Sequence, residues 1–208
     1  MSLESALASP SSRARKTDGR HLRSERTRLA IIEAYLEVLR RDSVTPTASH
    51  IADQAACSVR SIFGRFSDLD ALRLAAADYA IAQGQVEAVA RNVGGDRPTR
   101  IQSHVETRAR SCEKWLPLWR VITGLDQMAE LRARVVMVRR ANITRMRLMY
   151  GQELSGLSEP AREQLLFALA ALTSFESWDQ LRHCYDLSME AGQGVWRSAI
   201  DRMLPSGR

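Results

Sequence analysis

Residues 45 to 66 read "TPTASHIADQAACSVRSIFGRF", and this stretch limits the fold more than any other. It holds two short groups of apolar residues at helical spacing with almost nothing between them: Ile51, Ala52 and Ala55, then Val59, Ile62, Phe63 and Phe66. The recurrence at i, i+3, i+4 and i+7 marks one face of a helix. Thr47 and Ser58 precede the groups as N-caps, each with a hydroxyl able to accept a backbone N–H of the first turn. Two helices this short, joined by so tight a turn, form a helix-turn-helix, whose second helix offers its outer face to a major groove. On that helix Val59, Ile62, Phe63 and Phe66 are expected inward, with Arg60, Ser61, Gly64 and Arg65 outward. Arginine donates to guanine edges or phosphates and serine reaches either. Gly64 either allows close backbone approach or marks the helix end.

The flanks fit such a domain. Leu29, Ile32, Leu36 and Leu39 form one stripe, which predicts a helix from Arg26 to Arg41. Residues 1–22 are rich in Ser, Ala and Arg without sustained periodicity and are expected to form a flexible basic arm, with Arg26 and Arg28 continuing its charge. The domain would span 23–70. Residues 71–208 are expected to form a second helical domain: a long helix from Asp68 to about Asn92, ended by "GGDRP", then helices near 98–113, 115–124, 127–152, 159–184 and 188–204. The fold class is all-α, with about nine helices. On 127–152 the apolar residues point all round the axis, so one or two of Arg132, Arg139, Arg140, Arg145 and Arg147 are expected to line a cavity or interface while the others reach solvent.

Charge and cysteine usage narrow the function classes. Thirty Lys and Arg against 24 Asp and Glu leave a formal charge of +6 over 208 residues, which favours a polyanionic partner. Cys57, Cys112 and Cys184 are scattered and form no CxxC pair, so neither a disulfide framework nor a zinc site is expected. The absence of a secretory leader and of a long apolar run points to a cytoplasmic protein without membrane association. HExxH, GxSxG, a Walker loop and the dinucleotide glycine fingerprint are all missing, and adjacent His183 and Cys184 diverge on a helix. No enzyme activity, cofactor or metal is expected.

The run "IADQAACSVRSIFGRFSDLDAL" resembles the DNA-binding segment of the tetracycline-repressor (TetR) family, with Ile51, Ala52, Ala55, Ser58, Ser61, Ile62, Phe63, Phe66 and Leu72 at matching or near-matching positions. Ala56 stands where that family's turn glycine sits, so a methyl group would occupy left-handed or bridge geometry. Cys57 replaces a valine, Phe63 lacks the hydroxyl of the usual tyrosine, Arg65 stands at a frequent histidine, and Leu69 replaces a lysine. The resemblance implies double-stranded operator DNA as partner, read through Arg26, Arg28, Thr47, Ser58, Arg60, Ser61, Phe63, Gly64 and Arg65.

It also implies a central pocket for a small apolar or amphipathic effector, with Cys112, Trp115, Trp119 and Met128 as candidates beside Met137, Met146, Met149 and Phe167. A homodimer built from the two C-terminal helices follows by the same resemblance. There "LLFALAALTSFESWDQL" carries two apolar stripes, and the partner-facing candidates are Leu172, Phe175 and Trp178 together with Trp196 and Ile200 of the last helix. The expected function is a transcriptional repressor released from a palindromic operator by its ligand. The alternative is an all-helical protein-interaction module whose helix-turn-helix no longer reads DNA.

Overall fold

A computed structural model describes residues 12–42, 45–125 and 128–206, with side chains from residue 22 onward. The described residues form ten α-helices and one π-helical turn, with no strand. Two compact units divide between Leu72 and Arg73.

The first unit contains α1 (Ser12–Asp42), α2 (Ala48–Gln54), α3 (Val59–Phe63) and the start of α4 (Leu69–Glu87). Helix α1 begins at Ser12, so residues 12–22 are helical and not the expected flexible arm; residues 1–11 lie outside the described part. Ala, Arg and Lys after Pro10 are good helix formers, and only Gly19 opposes them. The core joins Ile31, Ile32, Tyr35, Leu36, Val38 and Leu39 of α1 to Ile51, Ile62, Phe66 and Leu72. Leu29, expected in that stripe, is exposed.

The second unit continues α4 and adds α5 (Arg97–Thr123), α6 (Ala129–Met149), α7 (Gly151–Leu154), α8 (Glu159–Leu172), α9 (Phe175–Asp179) and α10 (Met189–Met203). Helix α5 is its axis and packs on α6, α9 and α10. Asp96 caps α5, its carboxylate accepting the Thr99 amide at 2.9 Å. The two helices expected across 98–124 are one, because Pro117 removes a single hydrogen-bond donor while Trp115, Leu116, Leu118 and Trp119 are buried around it. The helix expected over 159–184 is instead broken. Thr173 turns its hydroxyl back to the Leu169 carbonyl at 2.8 Å, and Ser174 caps a new helix by accepting the Ser177 amide at 3.0 Å. A π-helical turn, Gln180–Cys184, then follows α9 directly.

Two polar groups are sealed inside this unit. Arg100 pairs with Glu153, both almost wholly buried, and donates to the Gly95 carbonyl and to Gln152 at 2.8 Å each. His104 Nδ1 meets the Tyr150 hydroxyl at 2.6 Å. Burial, reinforced by the charges of Arg108 and Arg145, pushes the His104 pKa down to about 3, so the imidazole is neutral. No described helix is long and apolar enough to cross a membrane.

Candidate functional site

The helix-turn-helix is built from its caps. Thr47 Oγ1 accepts the His50 amide at 3.3 Å, starting α2. Ser58 Oγ accepts the Ser61 amide at 3.1 Å and lies 2.9 Å from Ser61 Oγ, starting α3. Between them the Cys57 amide reaches the Ala52 carbonyl at 3.0 Å, and Ala56 takes φ 48°, the left-handed geometry anticipated for a turn glycine. Both serines and Thr47 thus have structural duties before any ligand arrives.

The outward face differs from the expected one. Ile62 and Phe66 are buried, but Val59 and Phe63 are exposed beside Arg60. Val59 and Phe63 stand four residues apart inside the five-residue α3 and share a side that the rest of the domain leaves uncovered, so the buried arc is narrower than the apolar spacing implies. Gly64 ends the helix at φ −74°, and a Cβ there would sit 3.3 Å from the Arg60 carbonyl. Arg60 has no hydrogen bond or ion pair among the described residues and is exposed. Arg65 is half-buried and donates to the Ser61 carbonyl at 3.1 Å. Arg28 lies over the Phe66 ring, 4.8 Å from its centroid, while Arg26 is exposed. The surface that α3 leaves free therefore consists of Val59, Arg60, Phe63 and Gly64, with Arg65 and Arg28 drawn back against the domain.

The second unit has a partly open cavity of about 140 Å³ between α4, α5, α6 and α9. Three expected ligand residues line it: Trp115, Trp119 and Met137. Five do not. Cys112, Met146 and Met149 are buried in the surrounding core, Met128 is the half-buried residue before α6, and Phe167 lies exposed on α8. Burial also raises the Cys112 pKa to about 11, leaving an unreactive thiol.

Several lining residues were missed. Ala77, Ala80, Ile81 and Gly84 of α4 form a thin wall whose small side chains leave the space open. Their helical spacing was a visible signal, although in sequence it also reads as ordinary close packing. Phe175 stacks on Trp119 with centroids 4.5 Å apart and planes 14° apart. Arg108 lies over the other side of that system, 4.6 Å from the Phe175 centroid, and its Nε donates to the Thr173 carbonyl at 2.7 Å. Arg134 pairs with Asp78 at 2.9 Å, and Gln85, Ser111, Asn142 and Arg145 complete the polar lining. Of the α6 arginines weighed in sequence, Arg145 is the one that lines the cavity.

The partner-facing candidates need correction. Phe175, Trp178, Trp196 and Ile200 are buried within the single chain, and Leu172 is half-buried. Trp178 and Trp196 meet at 4.6 Å between centroids; their indole N–H groups donate to Glu113 and Ser177 at 3.1 and 3.4 Å. For Phe175 and Trp178 the restart at Ser174 is the cause, because they belong to a new helix rather than to a stripe continued from α8; Trp196 and Ile200 are covered within the chain by the packing of α10 on α5 and α8. Apolar residues that α8 and α10 leave exposed include Phe167, Ala168, Ala171, Ala191 and Val195.

No family model and no curated protein sequence matches the chain. Solved structures do match. A structure assigned to the TetR-family transcriptional regulators, from Rhodococcus sp., superposes with a TM-score of 0.64 at 16% identity, covering 86% of this chain and 100% of the other. The multidrug binding protein EbrR in complex with imidazole gives 0.60 at 13% identity, covering 86% and 90%. The same protein in complex with malachite green gives 0.56 at 15% identity, covering 86% and 98%. The chain therefore has the fold of the TetR-family regulators, as the resemblance in residues 51–72 implied.

Proposed function

We propose that the chain is a homodimeric, cytoplasmic DNA-binding transcriptional regulator, a repressor released from a palindromic operator when a small molecule fills the cavity of its second unit. The observation that carries this reading is the capped helix-turn-helix with Arg60 free and outward at the start of α3. A guanidinium there can donate two hydrogen bonds to guanine, and exposed Val59 and Phe63 can meet thymine methyl groups. Ser58 and Ser61 share one hydrogen bond between their hydroxyls, which leaves one O–H of the pair to donate to phosphate. Phe63 at the tyrosine position of the resemblance shifts that helix from phosphate contact towards apolar contact.

A two-fold operator needs a two-fold protein, and the exposed Phe167, Ala168, Ala171 and Val195 supply a self-complementary apolar surface on α8 and α10. Helix α4 supports the regulatory half of the reading: its first residues belong to the reading unit and its middle forms a wall of the cavity. A ligand releases DNA only if it prefers the arrangement in which the two α3 helices no longer fit major grooves about 34–36 Å apart. EbrR, a protein of this fold, was solved with small molecules bound, which agrees with a ligand role for the cavity.

Selection of DNA by the purified protein from a random pool tests the reading. A palindromic site should emerge, and Arg60→Ala should weaken binding to it by roughly 10- to 100-fold, the range for loss of one bidentate base contact, without lowering the melting temperature. Failure to enrich any sequence would favour a protein partner for the Val59 and Phe63 surface.

A further inference from the structure

The cavity carries more positive charge than its surroundings neutralise. Three guanidinium groups line it, and no Asp or Glu is among the lining residues. Arg134 is compensated by Asp78 just behind it. Arg108 uses Nε on the Thr173 carbonyl, and its terminal nitrogens have no hydrogen-bond partner among the described residues. Arg145, half-buried, has neither a hydrogen bond nor an ion pair among the described residues.

These two cations also act on each other. Burial, and then the charge of Arg108, lowers the Arg145 pKa. His104, near both, is buried and neutral and offers no countercharge. Withdrawing a charge from water is expensive unless it is paired, and placing a second like charge beside it adds repulsion. An anion between the two removes both penalties at once.

We propose that the cavity takes a small organic anion, a single-ring aromatic carboxylate whose carboxylate sits between Arg108 and Arg145 and whose ring lies against Trp119 and Phe175. This rests on the reading of the cavity as a ligand site and narrows its chemistry. Size agrees: about 140 Å³ matches the roughly 150 Å³ apolar cavity that accepts one benzene ring. The wall agrees as well, since the stacked aromatic pair Trp119 and Phe175 lines the cavity and Arg108 is held over the Phe175 ring beside it. A fork of guanidinium nitrogens suits two carboxylate oxygens better than any neutral group of that size.

The test uses the full chain with benzoate and phenylacetate, the neutral amides benzamide and phenylacetamide, and the cation benzylammonium, measured by calorimetry and thermal shift. At least one carboxylate should raise the melting temperature and bind about tenfold or more tightly than its own amide, with benzylammonium weakest. Arg145→Met should fold with an equal or higher melting temperature in the absence of ligand, because it removes an unpaired cation, and should bind carboxylate and amide alike. Amide or ammonium binding as tight as carboxylate overturns the anion assignment while leaving a ligand site. No binding of any probe at concentrations up to about 10 mM overturns the assignment and the ligand site together. A drop in melting temperature for ligand-free Arg145→Met refutes the claim that Arg145 is uncompensated. DNA selection with ligand-free protein is scored separately, so loss of the DNA reading leaves these outcomes intact.

Discussion

One methyl group in the turn between α2 and α3 can be weighed. Ala56 holds φ 48°, where the Cβ of an L-residue crowds its own backbone at a cost of about 1–2 kcal/mol relative to glycine. Glycine gives back about 0.4–1 kcal/mol through its greater freedom in the unfolded chain. The Ala56 side chain is exposed, so its removal forfeits little packing. Ala56→Gly should therefore stabilise the first unit by roughly 0.5–1 kcal/mol. Native-state hydrogen exchange is the suitable assay because it reports local opening without requiring the whole chain to unfold in one step. The amides of Ile62 and Phe66, bonded to the carbonyls of Ser58 and Ile62, lie just beyond the turn. Their exchange should slow roughly 2- to 5-fold in the glycine variant, the factor that energy implies. Ala56→Val should do the opposite, since a branched side chain tolerates left-handed geometry poorly. Unchanged or faster exchange in the glycine variant, with the valine variant indistinguishable from the parent, would show that the turn is not left-handed at this residue.

Three further outcomes are expected. Phe167→Glu should convert the proposed homodimer to monomers in analytical ultracentrifugation with little change in the thermal stability of the subunit, because the side chain is 57% exposed; a dimer of undiminished affinity would place the interface elsewhere. His104 takes its proton near pH 6.5 when unfolded but only near pH 3 when folded, so the stability it contributes is complete above the first value and is lost as pH falls towards the second. By pH 5 the loss relative to pH 7 is about 2 kcal/mol, measurable by urea denaturation, and His104→Gln should lack it. Gly192→Ala would place a Cβ 3.1 and 3.2 Å from two Trp178 ring carbons; overpacking of about 1–3 kcal/mol less the roughly 1 kcal/mol alanine gains inside a helix leaves a net cost of up to about 2 kcal/mol by the same measurement, and a net gain in stability would mean that the buried Trp178 ring can move.

What was legible in the sequence was what depends on neighbouring residues. Thr47 and Ser58 are caps because of their own hydroxyls, and each accepts the amide three residues on, as the pattern required. The strained turn at Ala56 was implied by the resemblance to the TetR family, since an alanine by itself gives no sign of left-handed geometry. Apolar spacing does not say how wide an arc the neighbouring helices will cover, and Val59 and Phe63, inside α3, are left exposed for that reason. A pattern carried past a helix end misleads as well: Phe175 and Trp178 read as partner-facing only if α8 is extended through Ser174. That end depends partly on distant groups: the Thr173 carbonyl, where α8 stops, is held by Arg108 of α5. The cavity was the least legible part. Its aromatic wall and its two unpaired arginines come from α5, α6 and α9, and nothing in the local sequence of Arg145 distinguishes it from Arg147, which pairs with Glu163 on the surface.

The placement of the chain's four tryptophans has an optical consequence. Trp115 and Trp119 border the cavity, while Trp178 and Trp196 form a ring pair that does not line it. All four are buried, so emission should lie to the blue of free indole, and the close Trp178 and Trp196 rings should give a coupled near-ultraviolet dichroic band. A compound entering the cavity perturbs the first pair and spares the second. The undisturbed pair then acts as an internal reference, and the ratio of the two signals follows occupancy independently of protein concentration or of any added dye.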